Sequence, residues 1–302
     1  MIHVFGHINP DSDAICTAVV TAHWLSMRGM DARAWRLGEA NRETRFIFDV
    51  AGLTLPPRLD IPLQNERVWL VDFTEPAQEP DDLLRSNIVG IIDHHRLGGL
   101  ITQLPPEAHI RPPGSSATLL WLLTDADAHR ALLPTLAVLL LGALLSDTVN
   151  LRSPTATEVD IRSATELGVL SGVNRKTFAR DLLTAKTDVR GLSAQQLPDK
   201  DLKAFVIAGT NVRIGQIEVS SPSQVAPVMD DLLAALASMA DLSGADLAVL
   251  MLTDIRASFS SLYFAGRESV YAASCSVPGM LSRKKQLLPW LESRLNQNGS
   301  SL

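Results

Sequence analysis

The segment Ile2-His3-Val4-Phe5-Gly6-His7-Ile8-Asn9-Pro10-Asp11-Ser12-Asp13 constrains the fold of this chain more than any other. A short apolar strand runs directly into a tight turn that carries one imidazole and two carboxylates. Farther on, Ile91-Ile92-Asp93-His94-His95-Arg96 repeats the arrangement: a buried strand, then metal-ligand side chains at its exit. Two ligand-bearing loops at strand ends point to an open α/β sheet, because such sheets gather the carboxyl ends of their strands around one crevice. A metal cluster is expected there.

The rest of the first 188 residues fits that frame. The spacing of Ile15, Ala18, Val19, Ala22 and Leu25 predicts a helix over Asp13–Arg28, stopped by Gly29. Strands are expected at Arg33–Leu37, Arg67–Val71 and Ile88–Ile92, the last two each ending in a carboxylate, Asp72 and Asp93. Their apolar runs hardly alternate, as in strands covered on both faces. Helices are expected around Glu43–Val50, Ser115–Leu123, Pro134–Ser146, Thr157–Leu170 and Arg175–Ala185. The fold class is therefore α/β, a doubly wound, mainly parallel sheet with helices on both sides.

Residues 189–200 are polar and hold Gly191 and Pro198, the composition of a linker. Residues 201–302 then read as a smaller α+β domain with a mixed sheet. A hairpin is expected around Gly209-Thr210-Asn211, joining Ala204–Ala208 to Val212–Val219. A helix over Ser223–Ala240, strands at Leu247–Leu252, Ser260–Phe264 and Val270–Ser274, and a helix over Lys285–Asn296 complete it.

A net charge of −6 argues against a nucleic-acid surface as the main business of the chain, though not against a local basic patch for a small anion. The apolar run Leu132–Leu145 is broken by Pro134 and Thr135 and is too short to span a bilayer, so a core helix is expected and no membrane. The chain opens into a strand without a cationic leader, and its two cysteines, Cys16 and Cys275, have no metal-knuckle or redox spacing. The expectation is a cytoplasmic protein with reduced thiols.

Each candidate residue also has a plain structural explanation. Asn-Pro-Asp-Ser-Asp is a good helix start, where Asp13 would complement the helix dipole, and Asp72 alone could cap a turn. Adjacent His94 and His95 are harder to explain as connectors. They point in different directions, so one can bind metal while the other faces a substrate. Asp147 follows an apolar helix with little room for a solvated face. Burying an unpartnered carboxylate there costs several kcal/mol, so a metal, a hydrogen bond from Thr148 or an arginine must compensate. Taken together, two histidines and four aspartates at element ends can hold two divalent ions if one carboxylate bridges them. Such pairs, roughly 3.5–4 Å apart, activate water for in-line phosphoryl displacement. Oxygen-rich ligation without thiolate favours Mn2+ or Co2+ over structural zinc. Ser282-Arg283-Lys284-Lys285 puts cations just before a helix, against its dipole, and a bound anion would resolve the conflict.

With these segments assembled, the chain resembles the manganese-dependent (family II) inorganic pyrophosphatases of the DHH phosphoesterase superfamily. The resemblance rests on residues 6–16, on Asp93-His94-His95-Arg96, and on Gly114-Ser115-Ser116-Ala117-Thr118. Leu145-Ser146-Asp147-Thr148, Ser153-Pro154-Thr155 and Ser282-Arg283-Lys284-Lys285-Gln286 follow in order, the last matching a second domain of the DHHA2 type.

The resemblance implies a hydrolase that splits pyrophosphate with a metal-bridged hydroxide in the cleft between its domains. One Mn2+ (or Co2+) would be held by His7, Asp11 and Asp72, and the second by Asp13, His94 and Asp147, with Asp72 bridging. His95 would face the substrate and protonate the leaving phosphate. Arg283, Lys284 and Lys203 would bind phosphate oxygens, Lys200 being less suited. A further Mg2+ arriving with the substrate, closure of the second domain and a homodimer through the first are also implied.

Two places depart from the pattern. Asp72-Phe73-Thr74-Glu75 lacks the usual His and Asn after the bridging Asp, and Gln216-Ile217-Glu218 replaces Gln-Val-Asn. No nucleotide-binding insert interrupts the first domain. The alternatives are another DHH phosphoesterase, acting on polyphosphate, nucleoside bisphosphates or short oligonucleotides, and a non-catalytic regulatory protein on the same fold.

Overall fold

The alternation of apolar runs and helical segments resolves, in a computed structural model, into two compact units, Met1–Ala185 and Lys186–Leu302. The structure describes residues 1–189, 191, 193, 197, 201–266 and 274–299.

The first unit is built on five parallel strands, β1 (Ile2–Phe5), β2 (Ala32–Ala34), β3 (Arg67–Val71), β4 (Asn87–Asp93) and β5 (Glu107–Ile110), in the order β2-β1-β3-β4-β5. This order reverses between β1 and β3, and loops leaving the sheet on either side of such a switch point diverge to open a crevice. The chain leaves β1 into Gly6–Asp13 and β3 into Asp72, so two of the three candidate ligand-bearing exits lie at the switch, and the third, after β4, is on the neighbouring strand.

One face of the sheet packs Ile2, Val4, Trp69, Val71 and Ile92 against helices α1 (Ser12–Met27), α2 (Arg42–Ala51), α3 (Ser116–Leu123), α5 (Pro134–Asp147), α6 (Glu158–Ser171) and α7 (Arg175–Lys186). The short α4 (Ala126–Ala131) lies between α3 and α5. The other face packs Phe5, Leu70, Ile88 and Ile91 with Trp35, Leu63, Phe73 and Leu83. Among the described residues its helical cover is two 3₁₀ turns, Pro76–Gln78 and Leu83–Arg85. The apolar α5 is buried from Leu136 to Ser146, as expected of a core helix. Among the described residues no helix is long and apolar enough to cross a membrane.

Three elements differ from expectation. The second strand covers Ala32–Ala34 rather than Arg33–Leu37, because beyond it Arg36 bridges to Arg58 instead of following β1. Strand β5 was not foreseen: Glu-Ala-His-Ile has no apolar run, and its first two residues are exposed on the sheet edge. The six-residue α4, with no residue buried, also lacks a periodic signal.

The second unit carries β6 (Leu202–Ile207), β7 (Thr210–Val219), β8 (Leu247–Asp254), β9 (Phe259–Gly266) and β10 (Ser274–Pro278), ordered β10-β9-β8-β7-β6. Among the described residues, β7 and β8 pair parallel and the other neighbours antiparallel, so the sheet is mixed. Helix α8 (Met229–Ser243) flanks one face and α9 (Leu288–Gly299) the other. The expected helix from Ser223 begins instead as two 3₁₀ turns, Pro222–Gln224 and Ala226–Val228. Pro227 supplies no N–H and disfavours helical geometry in the residue before it. Most of the expected linker at 189–200, Lys200 included, lies outside the described residues, as do 270–273 of the expected strand Val270–Ser274.

Candidate metal centre

The site begins with a close approach. A Cβ on Gly6 would stand 2.5 Å from Ala14 Cβ, so only glycine lets the β1 exit lie against the first turn of α1. Asp11 caps that helix, its Oδ1 accepting from Ala14 N–H at 3.0 Å, while its Oδ2 stands 3.7 Å from His7 Nε2. Capping therefore engages one oxygen of the carboxylate, and the other faces His7. Asp13, in the first turn of α1, is buried and receives donors on both oxygens. Ser116 N–H reaches Oδ2 at 2.6 Å, and Ala117 N–H and Thr17 Oγ1–H reach Oδ1 at 2.9 Å. The first amides of α3 thus orient Asp13 from 103 residues away along the chain.

Asp72 leaves β3 in the left-handed region, at φ 67°. For a residue other than glycine this conformation is uncommon, and such strain concentrates at functional sites. It is buried, and Ser116 Oγ–H donates to its Oδ1 at 2.9 Å. Its oxygens face two ways: Oδ2 lies 3.6 Å from His7 Nε2 and Oδ1 lies 3.4 Å from His94 Nε2.

At the β4 exit, His94 Nδ1 lies 3.1 Å from the Pro113 carbonyl oxygen. A carbonyl only accepts, so Nδ1 carries the hydrogen. His94 Nε2 is buried and makes no hydrogen bond, although Asp72 Oδ1 and Asp147 Oδ2 stand 3.4 and 3.3 Å away. His95, its ring centroid 4.1 Å from that of His94, turns Nδ1 to Asp93 Oδ1 at 2.9 Å.

Asp147 is the last residue of α5, with a side chain 28% exposed, more open than the apolar run before it implied. A carboxylate at a helix C-terminus faces the negative end of the dipole, which a cation relieves. Val149, Asn150 and Leu151 follow with φ of 50°, 53° and 65°, three successive residues in the left-handed region.

The electrostatics describe an anion-rich pocket in want of positive charge. Burial, and then Asp72 and Asp147, push the Asp13 carboxyl well above the usual carboxylate range. Burial also disfavours charge on Asp72, yet His7 and His94 hold its carboxyl well below that range. Burial opposes charge on the imidazoles as well, but Asp11 and Asp72 push His7 up to about 9 and Asp72 and Asp147 push His94 up to about 10.

Three sets of potential ligand atoms gather among the described residues: His7 with Asp11 and Asp72, Asp13 with His94 and Asp147, and Asp72 with His94 and His95. The residues fit divalent cations. The donors are carboxylate oxygens and imidazole nitrogens, the Nε2 of His94 lacks a hydrogen-bond partner, and the ligand atoms of each set lie within 4.8 Å of one another. Metal-binding histidines ordinarily donate their other ring N–H to a carbonyl or carboxylate, as His94 does to Pro113.

The remaining expected residues lie in the second unit. Arg283, at the start of a π-helical turn, is only 6% exposed. Its Nη1 donates to the carbonyls of Asp201 at 2.6 Å and Ile214 at 3.3 Å, and its Nη2 to Asp201 Oδ1 at 2.8 Å. Lys203, half-buried on β6, and Arg283 act on the same carboxylate: burial opposes charge on Asp201, but Arg283, Lys203 and Lys186 hold it down to about 2. Lys284 is half-buried beside Arg283.

Several contributors were not singled out from the sequence. Asp93, inside the Asp-His-His run, orients His95. Ser116 and Thr17 orient Asp72 and Asp13. Buried Glu43 accepts from Ser146 Oγ–H at 2.8 Å, next to Asp147. Asp93 and Ser116 were readable as parts of motifs, whereas Thr17 and Glu43 contact the site through the fold and carry no local signal.

Comparison with known proteins places this geometry in context. A model of the DHH family N-terminal domain matches residues 1–144, and one of the DHHA2 domain matches 180–294. The manganese-dependent inorganic pyrophosphatase of Methanocaldococcus jannaschii is 35% identical over 98% of this chain and its own full length. The enzyme of the same name from Methanothrix thermoacetophila is 32% identical over 97% of each chain. A crystal structure from Methanococcus jannaschii, of a protein assigned to the family II inorganic pyrophosphatases, superposes with a TM-score of 0.87 at 35% identity, over 98% of this chain and all of that one. An exopolyphosphatase-related protein from Bacteroides fragilis, at 12% identity and a TM-score of 0.52 over 98% of this chain and 92% of its own, shares the fold alone.

Proposed function

This chain belongs to the manganese-dependent inorganic pyrophosphatase family, with a DHH domain followed by a DHHA2 domain, and we propose that it hydrolyses inorganic pyrophosphate to two phosphates. The observation that carries the reading is the convergence of two three-residue ligand sets, with Asp72 facing the histidine of each. His7, Asp11 and Asp72 would hold one ion, and Asp13, His94 and Asp147 the other, with Asp72 shared. Bound there, manganese or cobalt supplies Lewis acidity and neutralises charge on phosphoryl oxygens.

The chain's own residues do the rest. The amides of Ser116 and Ala117 keep Asp13 oriented, and Ser116 Oγ does the same for Asp72. Asp93 accepts the Nδ1 hydrogen of His95, which leaves Nε2 to carry the proton handed to the departing phosphate. Lys203, Arg283 and Lys284 bind phosphate oxygens, and Mg2+ accompanies the substrate. The protein acts in the cytoplasm as a homodimer associated through its first unit.

Phosphate release measured with Mn2+ on pyrophosphate, tripolyphosphate and 3′-phosphoadenosine 5′-phosphate tests the reading. Preferred turnover of pyrophosphate supports it. Preference for either other substrate assigns the site to another phosphoesterase, and no turnover of any points to a non-catalytic role. Elemental analysis of the purified protein should find two transition-metal ions per chain, and size-exclusion chromatography with light scattering tests the dimer.

A further inference from the structure

Residues 72–75, at the exit of β3, are interlocked with the loop that follows His94 and His95. Asp72 N–H donates to the Ile92 carbonyl at 2.8 Å, the last rung between β3 and β4. Two residues on, Thr74 is 1% exposed and makes three bonds to the facing loop. Its hydroxyl donates to the Arg96 carbonyl at 3.2 Å and accepts from Gly98 N–H at 3.2 Å. Its carbonyl accepts from Leu100 N–H at 3.2 Å. The approach is so close that a Cβ on Gly98 would stand 2.2 Å from Glu75 Cγ and 2.7 Å from Glu75 Cα. Phe73, between Asp72 and Thr74, is buried with Phe5, Leu70, Leu83 and Ile91 and anchors the segment to the sheet.

His95 is thereby held from both sides. Asp93 fixes its backbone N–H and its ring, and the next residue, Arg96, has its carbonyl tied to Thr74. A single hydroxyl that both donates and accepts sets the spacing of Arg96 and Gly98, which no apolar side chain of the same shape can do.

We infer that Thr74 is a positioning residue for the proposed reaction, its hydroxyl fixing the Arg96–Leu100 loop and through it the imidazole of His95. The inference rests on the role proposed for His95. It gives Phe73 and Thr74, which stand where the resembling sequences carry His and Asn, separate tasks: one anchors the β3 exit in the core and the other clamps the loop beside His95.

The test compares Thr74→Val, which removes the hydroxyl at nearly constant volume, with Thr74→Ser, which keeps it. With Mn2+ and Mg2+ saturating, Thr74→Val is expected to lower kcat for pyrophosphate about 10-fold or more, with KM and calorimetric Mn2+ affinity within about twofold of wild type, the scale of losing an orienting partner. Thr74→Ser should restore kcat. In protein labelled with ¹⁵N-histidine and free of metal, Thr74→Val should broaden or split the His95 ring signals and leave those of His7 unchanged. An unaltered kcat and His95 spectrum in Thr74→Val overturns the inference, whatever its melting temperature. A 10-fold loss in Thr74→Ser also overturns it, since packing of the methyl group and not the hydroxyl would then matter, and this arm decides even if Thr74→Val does not fold. Wild-type protein inactive on pyrophosphate would sink the proposed function instead, and the imidazole spectra would still report on the clamp.

Discussion

Asp93 Oδ1 accepts two hydrogen bonds from one residue, the backbone N–H of His95 at 3.1 Å and its ring Nδ1–H at 2.9 Å. The carboxylate is completely buried at the end of β4. This pairing selects the His95 tautomer and holds the ring, leaving Nε2 unengaged by the Asp93 carboxylate. His94, one residue earlier, gets its orientation from a backbone carbonyl, that of Pro113. Two neighbouring imidazoles are thus aimed by different partners, which permits different tasks.

Replacing Asp93 with Asn should disturb the tautomer of His95 while sparing the metal ligands. The expected outcome is a kcat at least about 100-fold lower, in the range associated with a misoriented proton-transfer histidine. Metal content should be unchanged. Steady-state kinetics alongside elemental analysis checks it, and a variant with wild-type kcat would remove Asp93 from the account.

Removal of a proposed ligand should behave differently. Asp147→Asn and His94→Ala are expected to reduce turnover by more than about 100-fold, to lower the number of Mn2+ ions taken up, and to keep the far-ultraviolet circular dichroism of the wild type. Full Mn2+ stoichiometry in both variants would refute the assignment of the second ligand set.

Proton linkage gives a prediction for the metal-free protein. His7, pushed up to about 9, and His94, pushed up to about 10, are raised above the ordinary imidazole value of about 6.5. Their contribution to stability is therefore complete below about pH 6.5 and is lost as pH rises through about 9 to 10. Urea denaturation of chelator-treated protein should show that decline. Calorimetry of Mn2+ binding near pH 7.5 in buffers of different ionisation enthalpy should detect proton release, since imidazole must be neutral to ligate. Uptake without proton release would contradict charged histidines in the metal-free site.

The Arg283–Asp201 pair carries the opposite sign. Asp201 is held down to about 2, below the ordinary value of about 3.9, so its stabilising contribution is present above about pH 3.9 and disappears as pH falls through about 2. Asp201→Asn should be less stable than wild type to urea at pH 7, and the difference should shrink between pH 4 and pH 3. A difference independent of pH would show that the pair adds nothing through charge.

The same pair shows how far the amino-acid sequence reaches. The cluster Ser282-Arg283-Lys284-Lys285 is plain to read, but an exposed patch and a buried guanidinium spell identically. Arg283 is buried because β6 and β7 bring Asp201 and the Ile214 carbonyl to it from about 80 and 70 residues away. Strand β5 was illegible for a related reason: Glu107-Ala108-His109-Ile110 pairs with β4 on an edge, where burial imposes no apolar pattern.

By itself, the sequence determined the segments that end in ligand side chains. Ile2–Phe5, Arg67–Val71 and the strand before His94 are local apolar runs closed by Gly6, Asp72 and Asp93, and such short-range patterns survive without tertiary context. Only the tertiary structure decided how those side chains are aimed. The α3 amides that grip Asp13, the Pro113 carbonyl that turns His94 and the Thr74 hydroxyl beside His95 act through contacts that the β2-β1-β3-β4-β5 topology creates. Hydrogen bonds between distant residues depend on where the backbone passes, and no local composition records that.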